Sequence, residues 1–228
     1  MSETPAEITH VIFDLDGLMI DTECLYTQET QKIVSRYGKT YNWTLKSKLM
    51  GRKPIDGAKI LVDELQIPLT PEEFHLELYG NLMDKFPDAP FLPGAEHLIN
   101  HLSSCGIPIA ICTGSSANTF DCKISKRRDF FSKFSHTVCS DDPEVTHGKP
   151  APDIYQVTAR RFKSPPKSPA NVLVFEDAPN GMESAKAAGM NVVMVPDSRT
   201  DPAKCLNADR VIQSLELLNI TEWGLPSF

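Results

Sequence analysis

Four short apolar runs, Ile8–Phe13, Ile107–Cys112, Val172–Phe175 and Asn191–Val195, are each bounded by turn or polar residues. Their length and their β-branched content predict strands. His136–Cys139 and Arg210–Ile212 predict two shorter ones, the second at a sheet edge. Between them the pattern takes the helical period, over Ala95–Ser104, Asn118–Phe130, Asp153–Phe162 and Asn180–Ala188, with Gly189 as a C-terminal stop. Unbroken apolar strands alternating with helices predict an α/β fold whose parallel sheet is covered on both faces.

Residues 20–88 interrupt this alternation with helical segments and no strand pattern. Thr22–Arg36 and Ile55–Leu65 are two of them. Pro71–Lys85 is a third, opened by Thr70-Pro71-Glu72-Glu73, which supplies an N-cap, a first-turn proline and a capping-box glutamate. Pro87, Pro90 and Pro93 mark a stiff return. The division expected is a core of residues 1–19 and 89–228 with an inserted helical unit, 20–88, lying over the carboxyl end of the sheet as a lid.

The 228 residues carry a net charge of -7, which argues against binding a nucleic acid polymer through its phosphates. No apolar run is long enough to span a bilayer, and Met1–His10 is polar and acidic, unlike a secretory signal. The six cysteines, at 24, 105, 112, 122, 139 and 205, include no Cys-x-x-Cys pair and are expected as reduced thiols. A cytoplasmic location and a monomer are expected.

The chemistry gathers at strand ends. The first run stops in Asp14-Leu15-Asp16-Gly17, whose acids at i and i+2 share one side of an extended chain; the plain alternative is a strand followed by an ordinary Asp-Gly turn. One acid can attack or bind metal while the other handles a proton. Thr113-Gly114-Ser115-Ser116 follows the second run and suits a phosphate, or plain N-capping by Ser115 or Ser116. Lys149, between Gly148 and Pro150, can neutralise a phosphate or sit in a solvated turn. Val172–Phe175 runs into Glu176-Asp177, and Asp14 with Asp177 can share Mg²⁺, though Asp177 can also cap the next helix.

Together these four elements, in this order and over essentially the full length, resemble the haloacid-dehalogenase-like (HAD) phosphohydrolases. The matching residues are Asp14-Leu15-Asp16-Gly17 with Asp21-Thr22, then Thr113, Lys149 and Glu176-Asp177. The resemblance implies a Rossmann-like core with a small all-helical cap inserted after the first strand. It also implies Mg²⁺-dependent hydrolysis of a small phosphorylated metabolite. In that scheme Asp14 is the nucleophile and Asp16 the acid and base. Thr113, Gly114, Ser115 and Lys149 hold the phosphoryl group. Asp14, Asp177 and the Asp16 carbonyl hold the metal, and Glu176 assists. Arg52, on a turn between cap helices, is expected to touch the substrate or to stay exposed. Asp141–Val145, Phe175–Gly181 and Gly224–Ser227 resemble the pseudouridine-5′-phosphatase branch, which implies pseudouridine 5′-monophosphate as substrate. The alternatives are a glycerol-phosphate or sugar-phosphate phosphatase, a phosphomutase and a non-catalytic phosphate-binding protein. A dinucleotide dehydrogenase is disfavoured, because no Gly-x-Gly-x-x-Gly follows the first strand.

Overall fold

Six short parallel strands frame the computed structural model, which describes residues 7–49 and 54–228. In chain order they are β1 (His10–Phe13), β2 (Ile109–Cys112), β3 (Thr137–Val138), β4 (Val172–Glu176), β5 (Asn191–Met194) and β6 (Arg210–Val211). They pair as β3-β2-β1-β4-β5-β6, every pair parallel. The expected α/β sheet is the one observed. β1, β2 and β4 are buried along their whole length, which is why they read as unbroken apolar runs.

Alternate residues fill the two faces. Val11, Phe13, Ile111, Leu173 and Phe175 pack on one side with Leu98, Ile99 and Leu102 of α5 (Ala95–Ser104). Ile12, Ala110, Val174 and Val192 pack on the other. There they meet Ile154 and Val157 of α8 (Asp153–Arg160) and Met182 and Ala185 of α9 (Pro179–Ala187). The chain runs outward from β1 to β3, then crosses back to β4 and runs out the other way. Strand order therefore reverses between β1 and β4, and the crevice beyond their carboxyl ends is where such sheets bind ligands.

Among the described residues four helices lie between β1 and α5: α1 (Thr22–Ser35), α2 (Trp43–Leu49), α3 (Pro54–Leu65) and α4 (Pro71–Met83). They enclose an apolar cluster of their own, including Ile33, Leu45, Leu61, Phe74 and Leu82. The capping box of α4 forms, with Glu73 N–H donating to Thr70 Oγ1 at 3.1 Å and Thr70 N–H to Glu73 Oε2 at 2.8 Å.

Two elements differ from expectation. α2 gives little apolar signal, because its Trp-Thr-Leu-Lys-Ser-Lys-Leu run buries only Leu45 and Lys46. Asn42 Oδ1 starts it by accepting from Leu45 N–H at 2.9 Å. The single helix expected over Asn118–Phe130 is two, α6 (Ala117–Ile124) and α7 (Arg128–Phe131). Between them Lys126 reaches Asp88 at 2.6 Å and Arg127 donates to the Ala89 carbonyl, which draws the backbone out of the helical path. Among the described residues no helix is long and apolar enough to cross a membrane, and all six cysteines are unpaired.

Candidate active site

The β1–β4 register sets Phe13 beside Phe175, with their rings stacked 5.1 Å apart. The next residues of both strands are acids, so Asp14 and Glu176 emerge side by side with Asp177 adjoining. One oxygen from each of these three buried carboxylates lies within 4.8 Å of the others. Lys149 Nζ donates to Asp14 Oδ1 at 2.7 Å, to Glu176 Oε1 at 2.6 Å and to the Cys112 carbonyl at 3.3 Å. The Tyr155 hydroxyl adds a 2.5 Å bond to Glu176 Oε1. Glu176 Oε2 accepts from the N–H groups of Asp177 and Ala178, at 3.2 and 3.3 Å.

One ammonium does not balance three buried carboxylates. Burial pushes the Asp14 carboxyl up to about 7, and repulsion from Glu176 and Asp16 adds to this against the pull of Lys149. Burial, then Asp14 and Glu176, raise Asp177 well above the usual carboxylate range. A buried, all-oxygen, charge-deficient cluster fits a hard divalent cation such as Mg²⁺. Two glycines give it room. A Cβ on Gly181 would fall 1.9 Å from Glu176 Oε1, and one on Gly17, whose φ is +81°, would fall 2.3 Å from Asp177 Oδ2.

Asp16 has a different set of partners. Its carboxylate accepts from Thr22 Oγ1 at 2.6 Å, Ser115 Oγ at 2.9 Å, Thr113 Oγ1 at 3.4 Å and Lys123 Nζ at 2.5 Å. Burial works to raise its pKa, but the Lys123 charge and these donors together hold it below the usual carboxylate range. Above the acids opens a cavity of about 740 Å³. Asp14, Asp16, Lys149 and Asp177 form its floor, and Glu23, Tyr26, Lys46 and Tyr79 of the inserted helices line it too, with Tyr41 from the loop between α1 and α2.

Residues 8–189 match the family model described as haloacid dehalogenase-like hydrolase. The chain belongs to that family. The insertion of this HAD hydrolase's helices directly after β1 places it in subfamily IA, the C1-cap branch. It is 52% identical over 223 residues to (DL)-glycerol-3-phosphatase 1, mitochondrial, of Arabidopsis thaliana, covering 97% of this chain and 75% of that protein. It is 43% identical over 223 residues to the Drosophila melanogaster protein named Probable pseudouridine-5′-phosphatase, covering 97% and 96%. The crystal structure of CbbY from Rhodobacter sphaeroides in complex with phosphate shares the fold, with a TM-score of 0.74 at 22% identity, covering 96% of this chain and all of that one. The HAD hydrolase is a phosphatase, hydrolysing phosphoric monoesters of small metabolites. These identities favour the glycerol-phosphate alternative over the pseudouridine reading expected from the border strings. The mitochondrial designation of one relative withdraws support from the cytoplasmic expectation.

Several expected residues take other positions in the HAD hydrolase. Gly114 and Ser115 line the cavity, but Thr113 is fully buried behind it, donating to Asp16 and accepting from Ser115 N–H at 3.1 Å. Ser116, not Ser115, caps α6. Asp177 does not cap α9, whose N-cap is Ala178. Arg52 lies outside the described residues.

Lys123 gave no signal in the sequence, because a lysine on an amphipathic helix reads as a solvated one. Here it is 1% exposed, with Nζ also 2.8 Å from Ser115 Oγ and 4.6 Å from the Phe86 ring centre. Replacing it with Met strands the Asp16 carboxylate. Lys123→Met is expected to lower the Tm by ~5–10 °C, for a cost of about 2–3 kcal/mol. Adding Asp16→Asn should recover part of that loss, and thermal scans of the two single variants and the double variant check the coupling.

Proposed function

We propose that this phosphatase hydrolyses glycerol 3-phosphate through an aspartyl-phosphate formed on Asp14, with residues 20–88 acting as the cap over the reaction. The observation that carries the substrate is the 52% identity to a glycerol-3-phosphatase across 97% of the chain, inserted helices included.

In the first half-reaction an Asp14 oxygen attacks phosphorus, the P–O bond to glycerol breaks, and Asp16 gives its proton to the departing oxygen. In the second, water attacks phosphorus, Asp16 takes the water's proton, and Asp14 is released together with inorganic phosphate. The present geometry holds Asp16 as a carboxylate, the form this second half-reaction uses. Lys149 anchors the Asp14 carboxylate and borders the floor where the phosphoryl oxygens sit, beside Gly114 and Ser115. Asp14, Asp177 and the Asp16 carbonyl would hold Mg²⁺, supported by Glu176. When bound, the ion neutralises the phosphoryl charge that otherwise repels a carboxylate nucleophile. Tyr155 and the two backbone N–H groups fix Glu176 so that its carboxylate cannot turn away from the cluster.

Phosphate release with Mg²⁺ from glycerol 3-phosphate, pseudouridine 5′-monophosphate, uridine 5′-monophosphate and hexose phosphates tests the assignment. The expected kcat/KM for glycerol 3-phosphate exceeds that for pseudouridine 5′-monophosphate by about tenfold or more, a difference of roughly 1.4 kcal/mol in transition-state binding. The reverse order would return the substrate to the nucleotide.

A further inference from the structure

Glu23 stands between the acids and the helical roof. It is the second residue of α1, next to Thr22, whose hydroxyl holds Asp16. The position of a Cβ on Gly17 lies 2.3 Å from Asp177 Oδ2 and 3.3 Å from Glu23 Cγ, so the Glu23 side chain runs alongside the metal-facing carboxylate. Its Oε2 is bound by Lys46 Nζ at 2.8 Å. The same ammonium reaches Thr27 Oγ1 at 2.8 Å and the Glu23 carbonyl at 3.2 Å. An ammonium has three donors, and these contacts use all of them.

Lys46 therefore serves Glu23 and is not free for a ligand. The Lys46 side chain is 9% exposed and that of Glu23 is 35%, so the carboxylate stands forward and the cation behind it. Both line the cavity. Among the described residues around it the lysines are Lys46 and Lys149, and both already pair with carboxylates. The other polar side chains of the roof include Tyr26, Tyr41, His75 and Tyr79, set among apolar ones such as Leu49 and Ile55, and they offer hydrogen bonds to hydroxyl groups. Among the described residues, this end of the cavity accepts hydrogen bonds from hydroxyls and turns the Glu23 carboxylate toward an incoming negative charge.

We propose that Glu23, locked in place by Lys46, is a specificity-determining residue that takes the hydroxyls of a neutral polyol leaving group and rejects leaving groups bearing a carboxylate or a second phosphate. The proposal rests on the phosphatase reading above and deepens it.

Glycerol 3-phosphate and 3-phosphoglycerate share one three-carbon frame and differ only in a terminal hydroxymethyl against a carboxylate. The ratio of their kcat/KM values reads the discrimination directly. The wild-type enzyme is expected to favour glycerol 3-phosphate strongly, and Glu23→Gln to reduce the ratio on the order of tenfold by removing the like-charge repulsion. Glu23→Ala is expected to move the ratio the same way and covers the case of a misfolded glutamine variant. A loss of both activities in parallel, with the ratio unchanged, means that Glu23 is only structural and overturns the proposal. So does a wild-type enzyme that hydrolyses both esters equally. A wild-type preference for another neutral phosphomonoester overturns the glycerol assignment instead, and the ratio taken with that ester and its carboxylate analogue then decides the role of Glu23.

Discussion

Asp14→Asn is expected to lose on the order of 10⁴-fold or more in kcat with Mg²⁺ while remaining folded. The amide has the size of the carboxylate but no anionic oxygen to bond to phosphorus. The fold should tolerate the exchange, because Lys149 keeps its 2.6 Å bond to Glu176 Oε1 and the buried cluster sheds one of three negative charges. Phosphate-release kinetics beside a thermal scan separate the two effects. Mg²⁺-dependent turnover within a hundredfold of wild type in this variant would remove Asp14 from the role of nucleophile.

The second large effect is opposite in sign for stability and for activity. Asp177→Asn is expected to raise the Tm of metal-free protein by ~2–6 °C, about 1–2 kcal/mol, and to reduce activity by on the order of 10²–10³-fold. Asp177 crowds Asp14 and Glu176 in a site with a single neutralising lysine. Its folded pKa lies well above the ordinary value of 3.8, and that of Asp14 lies at about 7. Groups raised in this way bind protons more tightly when folded. Their contribution to stability is present below the unfolded pKa and is lost as pH rises from about 4 through the folded value. The Tm advantage of Asp177→Asn over wild type should therefore be small near pH 4 and largest above pH 7. Mg²⁺ should raise the wild-type Tm at pH 7.5 by binding the folded state alone, and raise that of the variant far less. A variant whose Mg²⁺-induced shift equals that of wild type would show that Asp177 is not a ligand.

The strands were legible because burial on both faces removes any alternation, leaving Val-Ile-Phe or Val-Leu-Val-Phe as plain apolar blocks. The acids were legible for the complementary reason. A carboxylate straight after such a block sits at the mouth of a sheet, and two such blocks at the switch point bring Asp14, Glu176 and Asp177 together. Lys149 stood out by its Gly and Pro neighbours, and its ammonium lies between Asp14 and Glu176. What failed to show depends on contacts between distant elements. Lys123 and Lys46 are buried lysines on helices, visible only once Asp16 and Glu23 are seen to face them. Tyr155 passes for an ordinary core aromatic until its hydroxyl meets Glu176. The break at Ser125–Arg127 is set by Asp88 and Ala89, which lie before α5 in the chain. The substrate reading rested on the strings Asp141–Val145 and Phe175–Gly181, which belong to the core around the acids, and the identities favour the glycerol-phosphate alternative instead.

The central position of β1 has a consequence for how the enzyme is made. It precedes the other five strands along the chain, yet its sheet partners are β2 and β4. Lys149, the residue that neutralises Asp14, is 135 positions away along the chain. Every nascent chain short of β4 thus carries β1 with an open edge, one that stops before Lys149 leaves Asp14 without its cation, and parallel pairing over such separations is slow. Co-translational release of partial chains would yield inactive, edge-exposed fragments, so catalytic competence arrives late and all at once, when β4 docks.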